Sequence, residues 1–158
     1  MRPKTTVYIA TSVDGFIARA DGAIDWLEHD AGDDDYGFHA FMASIDAIIL
    51  GRATYQQVLG FGVWPYKGKR VTVYSRTLGP DDTPEHLRDQ VEFSGLPPGE
   101  LLDQLGRAGV AHVYVDGGKT VQSFLAAGLI DELIISRMPI LLGAGIPLFG
   151  PLGGDVAH

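Results

Sequence analysis

The chain has 158 residues, which is the size of one domain with a single hydrophobic core. Hydrophobic residues make up 46% and charged residues 20%, a globular composition that excludes a disordered or fibrous chain. Twelve basic residues against twenty acidic ones give a net charge of -8. This charge does not favour phosphate backbones or anionic membranes, so we expect neither a nucleic-acid partner nor a membrane partner.

The sequence also excludes several kinds of site. It contains no cysteine, so disulfides, thiolate nucleophiles and cysteine-ligated metals are excluded. Its five histidines lack the HxH and HExxH spacings, and we therefore expect no catalytic metal. No apolar run approaches the length of a membrane span and no signal-peptide core is present, which predicts a soluble, cytoplasmic protein.

Apolar runs rich in β-branched residues alternate along the chain with segments of helical period. The predicted strands are residues 6–13, 46–50, 70–74, 112–115 and 132–136, and the predicted helices are residues 36–44, 53–59, 100–108 and 120–127. This alternation implies right-handed crossovers and a largely parallel sheet with helices on both faces. We expect one α/β domain over residues 1–158, and its apolar, turn-rich end leaves open whether the last C-terminal strands are missing.

The first of three unusual strand ends follows residues 46–50. Gly51, Arg52 and Thr54 stand where that strand turns into a helix. Free backbone N–H groups at a helix start favour an anion, and an arginine can bind phosphate oxygens in a fork. A plain strand-to-helix turn with a surface arginine is the alternative interpretation.

The second strand end carries Ser75 and Arg76, directly after residues 70–74. A site selective for NAD favours an acidic residue on the ribose hydroxyls, whereas arginine suits the 2′-phosphate of NADP. Arg76 therefore favours NADP over NAD. A loop arginine in water is the alternative.

The third strand end carries Gly117, Gly118, Lys119 and Thr120, shortly after residues 112–115. Two adjacent glycines let the backbone come within contact distance of a pyrophosphate. A simple tight turn is the alternative. Three such ends in one small acidic domain together indicate a focused phosphate site.

Segments along nearly the whole chain carry a recognisable pattern. They are YIATSVDGFIA (8–18), GAIDW (22–26), DAIILGRATY (46–55), WPY (64–66), SR (75–76), DGG (116–118), DELIIS (131–136) and PILLGAGIPLF (139–149). In this order and spacing the chain resembles the dihydrofolate reductase-like superfamily, in particular the group related to the reductase domain of bacterial riboflavin biosynthesis. The resemblance implies a three-layer fold, NADPH as hydride donor and frequently a homodimer.

The resemblance also implies roles for individual positions. Ala10 and Ile17 would border the nicotinamide, and the three strand ends would bind the phosphates. Carried over by position, the 2′-phosphate residues are Ser75 and Arg76, and those at the other phosphates are Gly51, Arg52, Thr54, Gly117, Gly118, Lys119 and Thr120.

On the substrate side, folate reductases keep one carboxylate at the start of the first helix. Asp35 is the best positional match, although Asp33 and Asp34 beside it leave the register open. Trp26 corresponds to the tryptophan of the mobile active-site loop, and Asp14 is a further candidate in the pocket. A turn-capping role for Asp14 and core packing for Trp26 are the alternatives.

Together these features predict an NADPH-dependent reductase that transfers hydride to a C=N or C=O bond of a heterocyclic or ribosyl small-molecule substrate. The reaction most like it is that of 5-amino-6-(5-phosphoribosylamino)uracil reductase in riboflavin biosynthesis. A dihydrofolate reductase-type activity and a non-catalytic NADPH- or nucleotide-binding module are the alternatives. The apolar segment 134–149 is a candidate surface for a homodimer.

Overall fold

The computed structural model describes residues 2–27, 37–60, 64–150 and 154–155. The strands in this part of the chain are β1 (Lys4–Thr11), β2 (Phe16–Ala18), β3 (Ala47–Gly51), β4 (Arg70–Tyr74), β5 (Val91–Ser94), β6 (His112–Asp116), β7 (Glu132–Arg137) and β8 (Ile146–Pro147). The α-helices are α1 (Phe38–Ser44), α2 (Arg52–Leu59), α3 (Pro98–Arg107) and α4 (Gly118–Ala126). None of these helices is both long enough and apolar enough to cross a membrane.

Six of the strands form one sheet in the order β5-β4-β3-β6-β1-β7, and every neighbouring pair in it is parallel. Strand β6 comes late in the chain but lies between β3 and β1. The order of the strands therefore reverses beside β6. In open α/β sheets such a reversal forms a ligand crevice at the carboxyl ends of the strands. The predicted parallel sheet is confirmed.

Helices cover both faces of this sheet. On one face, Phe41 of α1 and Tyr55 of α2 pack in a core with Tyr114 of β6. On the other face, Leu102 of α3 and Phe124 of α4 belong to a second core. Side chains alternate along a strand, so the central strands supply both cores, and β3 is buried along its whole length. The predicted three-layer α/β architecture is confirmed.

A second, antiparallel sheet pairs β2 with β8. The Leu148 N–H group donates to the carbonyl oxygen of Gly15 at 3.1 Å, which joins the C-terminal segment to the segment after β1. This small sheet lies against the β6–α4 turn. A Cβ added to Gly118 would stand 3.1 Å from Cδ1 of Ile17 and 3.4 Å from Cγ2 of Ile146.

The predicted strands and helices are present with their ends displaced by a few residues, whereas β2, β5 and β8 were not predicted. These three strands have only three, four and two residues. Such short segments carry little periodicity, and it is pairing with a partner strand that makes them strands.

The turn before β8 leaves no room for a side chain at Gly145. Its φ is +155°, and an added Cβ would overlap the carbonyl oxygen of Ala18. We expect Gly145→Ala to lower the free energy of unfolding by roughly 3 kcal/mol, because backbone would have to move. Gly68, with φ +82° and nothing within 4 Å, is the control, and Gly68→Ala should cost about 1 kcal/mol of strain. Urea unfolding measures both, and equal losses would contradict the overlap.

Candidate functional site

The β3–α2 turn and the β6–α4 turn touch each other at the carboxyl edge of the sheet. A Cβ added to Gly51 would lie 2.6 Å from Oγ1 of Thr120, and one added to Gly117 would lie 3.0 Å from Oγ1 of Thr54. Gly117 also has a φ of +107°, which residues with a side chain resist. Glycine at both positions therefore brings four of the predicted phosphate-site residues together.

The N-termini of α2 and α4 open onto this same place. Neither helix has a side-chain hydrogen bond capping its N-terminus. The first N–H groups of a helix have no partner within the helix, and the helix dipole adds positive potential there. Two sets of N–H donors thus point into one crevice, an arrangement that suits phosphate oxygens.

Three predicted basic residues stand at this edge and are exposed: Arg52 at the start of α2, Arg76 after β4 and Lys119 near the start of α4. None of the three forms an ion pair with another described residue. Cγ of Arg76 would lie 3.2 Å from a Cβ added to Gly95, so its side chain passes over the backbone after β5. In a chain of net charge -8 these cations concentrate positive potential at one edge.

The remaining predicted cofactor residues also lie at this end of the sheet. Oγ of Ser75 accepts hydrogen bonds from the N–H groups of Thr77 and Leu78, both at 3.1 Å, and so shapes the turn after β4. Ala10 is partly buried near the end of β1, and Ile17 packs on the β6–α4 turn through the small sheet. Their contacts with a cofactor stay a prediction.

Of the three predicted catalytic residues, Asp35 lies outside the described residues. Trp26 is only 1% exposed, and its indole N–H bonds to none of the described residues. This placement agrees with the core-packing alternative for Trp26. Catalytic roles for both residues stay predictions.

Asp14 is exposed in the turn between β1 and β2. Its carboxylate accepts hydrogen bonds from Oγ of Ser12 at 2.6 Å, the N–H of Leu142 at 3.2 Å and the N–H of Gly143 at 2.8 Å. These bonds, with that from Ser12 the strongest, hold the pKa of Asp14 below its ordinary value. Asp14 therefore fastens the segment after β1 to the segment before β8, as in the turn-capping alternative, and its catalytic role stays a prediction.

The sequence analysis assigned no role to Asp116, the last residue of β6. Its Oδ1 accepts a hydrogen bond from the N–H of Gly117 at 2.8 Å, and its Oδ2 accepts one from the hydroxyl of Tyr114 at 3.1 Å. Burial raises the pKa of this carboxyl group, and the two hydrogen bonds lower it by less. An acid of raised pKa beside a crevice is a candidate proton donor. One signal was available, since an acidic residue ends an apolar strand directly before a glycine pair.

Aromatic side chains form a cluster on the α1 face of the sheet, where Tyr114 bonds to Asp116. The ring of Tyr8 stacks on Phe41 with centroids 4.7 Å apart, and Phe41 meets the edge of Tyr114 at 5.2 Å. Burial and, secondarily, the charge of Asp116 raise the pKa of Tyr66. The sequence analysis did not find this group either, because its members come from four distant segments. Phe41, Tyr66 and Tyr114 are buried, and Tyr8 is partly buried, so the rings form an aromatic cluster with Asp116 beside it.

Comparison with known proteins gives the family. The model of the RibD C-terminal domain matches residues 3–157. The chain belongs to this family. The uncharacterized protein YwjB of Bacillus subtilis is 38% identical over 157 residues, which cover 98% of this chain and 87% of that protein. The riboflavin biosynthesis protein RibD of Corynebacterium ammoniagenes is 30% identical over 171 residues, which cover 99% of this chain but only 50% of that protein.

Solved structures agree with this assignment. A Shewanella sp. PV-4 protein named for riboflavin biosynthesis superposes with a TM-score of 0.90 at 40% identity, covering 99% of this chain and 88% of that chain. The diaminohydroxyphosphoribosylaminopyrimidine deaminase/5-amino-6-(5-phosphoribosylamino)uracil reductase of Thermotoga maritima superposes with a TM-score of 0.70 at 19% identity, covering 98% of this chain and 50% of that chain. The second likeness concerns the fold alone. The expected dihydrofolate reductase-like fold is confirmed.

The hydrogen bonds from Leu142 and Gly143 to Asp14 should depend on pH. Because the pKa of Asp14 is lowered in the folded protein, its clamp is fully formed above the ordinary aspartate pKa and is lost as the pH falls through the lowered value. We expect the amide resonances of Leu142 and Gly143 to titrate in that acidic range. In Asp14→Asn they should stop titrating and exchange faster with solvent.

NMR spectroscopy of the wild type and two variants measures this effect. Asp21→Asn is the matched control, since the exposed Asp21 accepts one backbone hydrogen bond, from Ala23, and should leave both amides unchanged. Unaltered titration of Leu142 and Gly143 in Asp14→Asn would rule out the clamp.

Proposed function

We propose that the chain is an NADPH-dependent reductase that transfers hydride to a C=N or C=O bond of a pyrimidine substrate with a ribosyl group. The observation that carries this proposal is the crevice where the N-termini of α2 and α4 meet beside the carboxyl group of Asp116. Membership of the RibD C-terminal domain family supports the reductase class. Relatives named riboflavin biosynthesis protein support the choice of a pyrimidine substrate.

The described residues fit NADPH. The uncapped N–H groups of α2 and α4 suit its pyrophosphate, and the close-packed glycine turns admit an anion near the backbone. Arg52 and Lys119 would neutralise the pyrophosphate, while Ser75 and Arg76 would hold the 2′-phosphate. NADPH bound there supplies the hydride, and the protein supplies its orientation.

Reduction of a C=N or C=O bond adds a hydride to the carbon and a proton to the nitrogen or oxygen, so the site needs an acid. Asp116 fits this role because its raised pKa keeps it protonated to a higher pH than an ordinary aspartate. On the same face of the sheet, the partly exposed Tyr8 offers an aromatic ring for a planar heterocycle. Asp35 stays a second candidate for the same role.

Cofactor choice depends on Arg76. We expect the wild type to bind NADPH roughly tenfold to a hundredfold more tightly than NADH, because charge-assisted hydrogen bonds to a phosphate contribute about 1.5–3 kcal/mol. In Arg76→Ala this preference should disappear, with NADH affinity unchanged. Calorimetric titration with each nucleotide at one salt concentration measures it.

Arg107→Ala is the control for general charge, since Arg107 is exposed at the end of α3. It should keep the preference for NADPH. Failure of the wild type to bind either nucleotide would overturn the reductase proposal, and binding of both with equal affinity would overturn the role of Arg76.

Substitution of Asp116 tests the proposed proton transfer. We expect Asp116→Asn to lower kcat by at least about a hundredfold, the usual loss when a positioned acid is removed, with little change in NADPH affinity. The variant should fold. The pKa of Asp116 is raised in the folded protein, so its ionisation lowers the stability as the pH rises above the ordinary aspartate pKa. Asparagine is neutral at every pH and avoids this loss.

Stopped-flow measurement of NADPH oxidation with 5-amino-6-(5-phosphoribosylamino)uracil gives kcat, with Asp103→Asn on the exposed part of α3 as control. An unchanged kcat in Asp116→Asn would remove Asp116 from the mechanism and leave Asp35 as the candidate. NADPH binding without turnover on this substrate or dihydrofolate would favour the non-catalytic module.

The homodimer stays a prediction, for which exposed Leu141 and Phe149 are candidate contact residues.

A further inference from the structure

The side chain of Tyr114 connects two parts of the crevice. It is 5% exposed, and its hydroxyl lies 3.1 Å from Oδ2 of Asp116 and 3.1 Å from the backbone carbonyl oxygen of Tyr8. The register between β1 and β6 runs from Lys4↔His112 to Thr6↔Tyr114. The phenol therefore bridges β1 and β6 just beyond their backbone pairing, where the crevice begins.

A phenol has one proton to donate, and here two acceptors lie at equal distance. When Asp116 is ionised, the phenol can donate to the carboxylate. When Asp116 is protonated, the carboxyl group can donate to the phenol oxygen while the phenol donates to the carbonyl of Tyr8. Each protonation state of Asp116 thus has its own arrangement of hydrogen bonds around Tyr114.

The groups that face this pair are aromatic rather than cationic. Tyr66, from the segment before β4, and Tyr8, from β1, are the other titratable groups among the described residues that act on the pair. Helix α1 contributes the ring of Phe41. No basic side chain of the described residues bonds to Asp116 or lowers its pKa. Among the described residues, the phenol of Tyr114 is therefore the main side chain that stabilises the ionised carboxylate.

We propose that Tyr114 is a positioning residue, which holds the Asp116 carboxyl group at the crevice and sets how readily that group gives up its proton. The inference rests on the proposed function, in which Asp116 protonates the substrate. After the proton has left, Tyr114 donates its hydrogen bond to the new carboxylate. When Asp116 takes up a proton again, the phenol returns its bond to Tyr8.

The test is the titration of the Asp116 carboxyl carbon by NMR, assigned by its loss in Asp116→Asn. In Tyr114→Phe we expect the pKa of Asp116 to rise by about one to two units, because a hydrogen bond to the charged form is lost. Tyr55→Phe is the matched control. It removes another buried hydroxyl of the same core, which bonds Oγ1 of Thr83 at 2.9 Å, and should leave the titration unchanged.

The rate should follow the titration. If the protonated acid is the active form, kcat/KM for the pyrimidine substrate should fall at a higher pH in Tyr114→Phe than in the wild type. The difference in pH should equal the rise in the pKa of Asp116. It should not move in Tyr55→Phe. A merely structural role of Tyr114 would lower the stability of Tyr114→Phe without moving its pH profile.

A second variant guards against misfolding of Tyr114→Phe. Site-specific 3-fluorotyrosine at position 114 keeps the ring and strengthens the donor, so the pKa of Asp116 should fall. An unchanged titration in the folded phenylalanine variant, or in the fluorotyrosine variant, would overturn the inference. If the wild type shows no turnover but Tyr114→Phe still shifts the titration of Asp116, the proposed function is overturned. The coupling between Tyr114 and Asp116 would then still stand.

Discussion

The close approach of two strand-to-helix turns is the constraint on which the rest of the site depends. Gly51 and Gly117 stand where a side chain on either would run into Thr120 or Thr54. Strand β6 lies beside β3 in the sheet. The helices that follow these two strands, α4 and α2, therefore begin at one crevice. The positive potential expected in this crevice thus comes first from backbone geometry, and the basic side chains add to it.

The small sheet of β2 and β8 makes a roof over one of these turns. Its strands are too short to be stable alone, and they are held by bonds from outside the sheet. The carboxylate of Asp14 binds the amides of Leu142 and Gly143, and Nε2 of Gln122 donates to the carbonyl of Pro147 at 3.2 Å. Residues far apart in the chain therefore act together in holding the small sheet against the β6–α4 turn.

The α1 side of the crevice has a different physical character. There the ionisable group, Asp116, lies among phenol and phenyl rings and pairs with Tyr114 rather than with a cation. Burial with neutral donors favours a protonated acid, whereas pairing with arginine would favour the ionised one. A positively charged edge and a cluster of aromatic rings thus meet at β6.

The sequence by itself determined the layered α/β fold and the edge of the sheet at which the three glycine- and arginine-bearing strand ends lie. The apolar runs and helical segments are long enough to carry their periodicity, and the residues after each strand of a parallel sheet lie at the same edge. Only the tertiary structure decided the rest. Asp116, Tyr114 and Tyr8 meet because β6 lies beside β1, an adjacency that no local pattern encodes. The hydrogen bonds of Asp14 to Leu142 and Gly143 were likewise not predictable, since a contact across more than a hundred residues leaves no periodic pattern in the sequence.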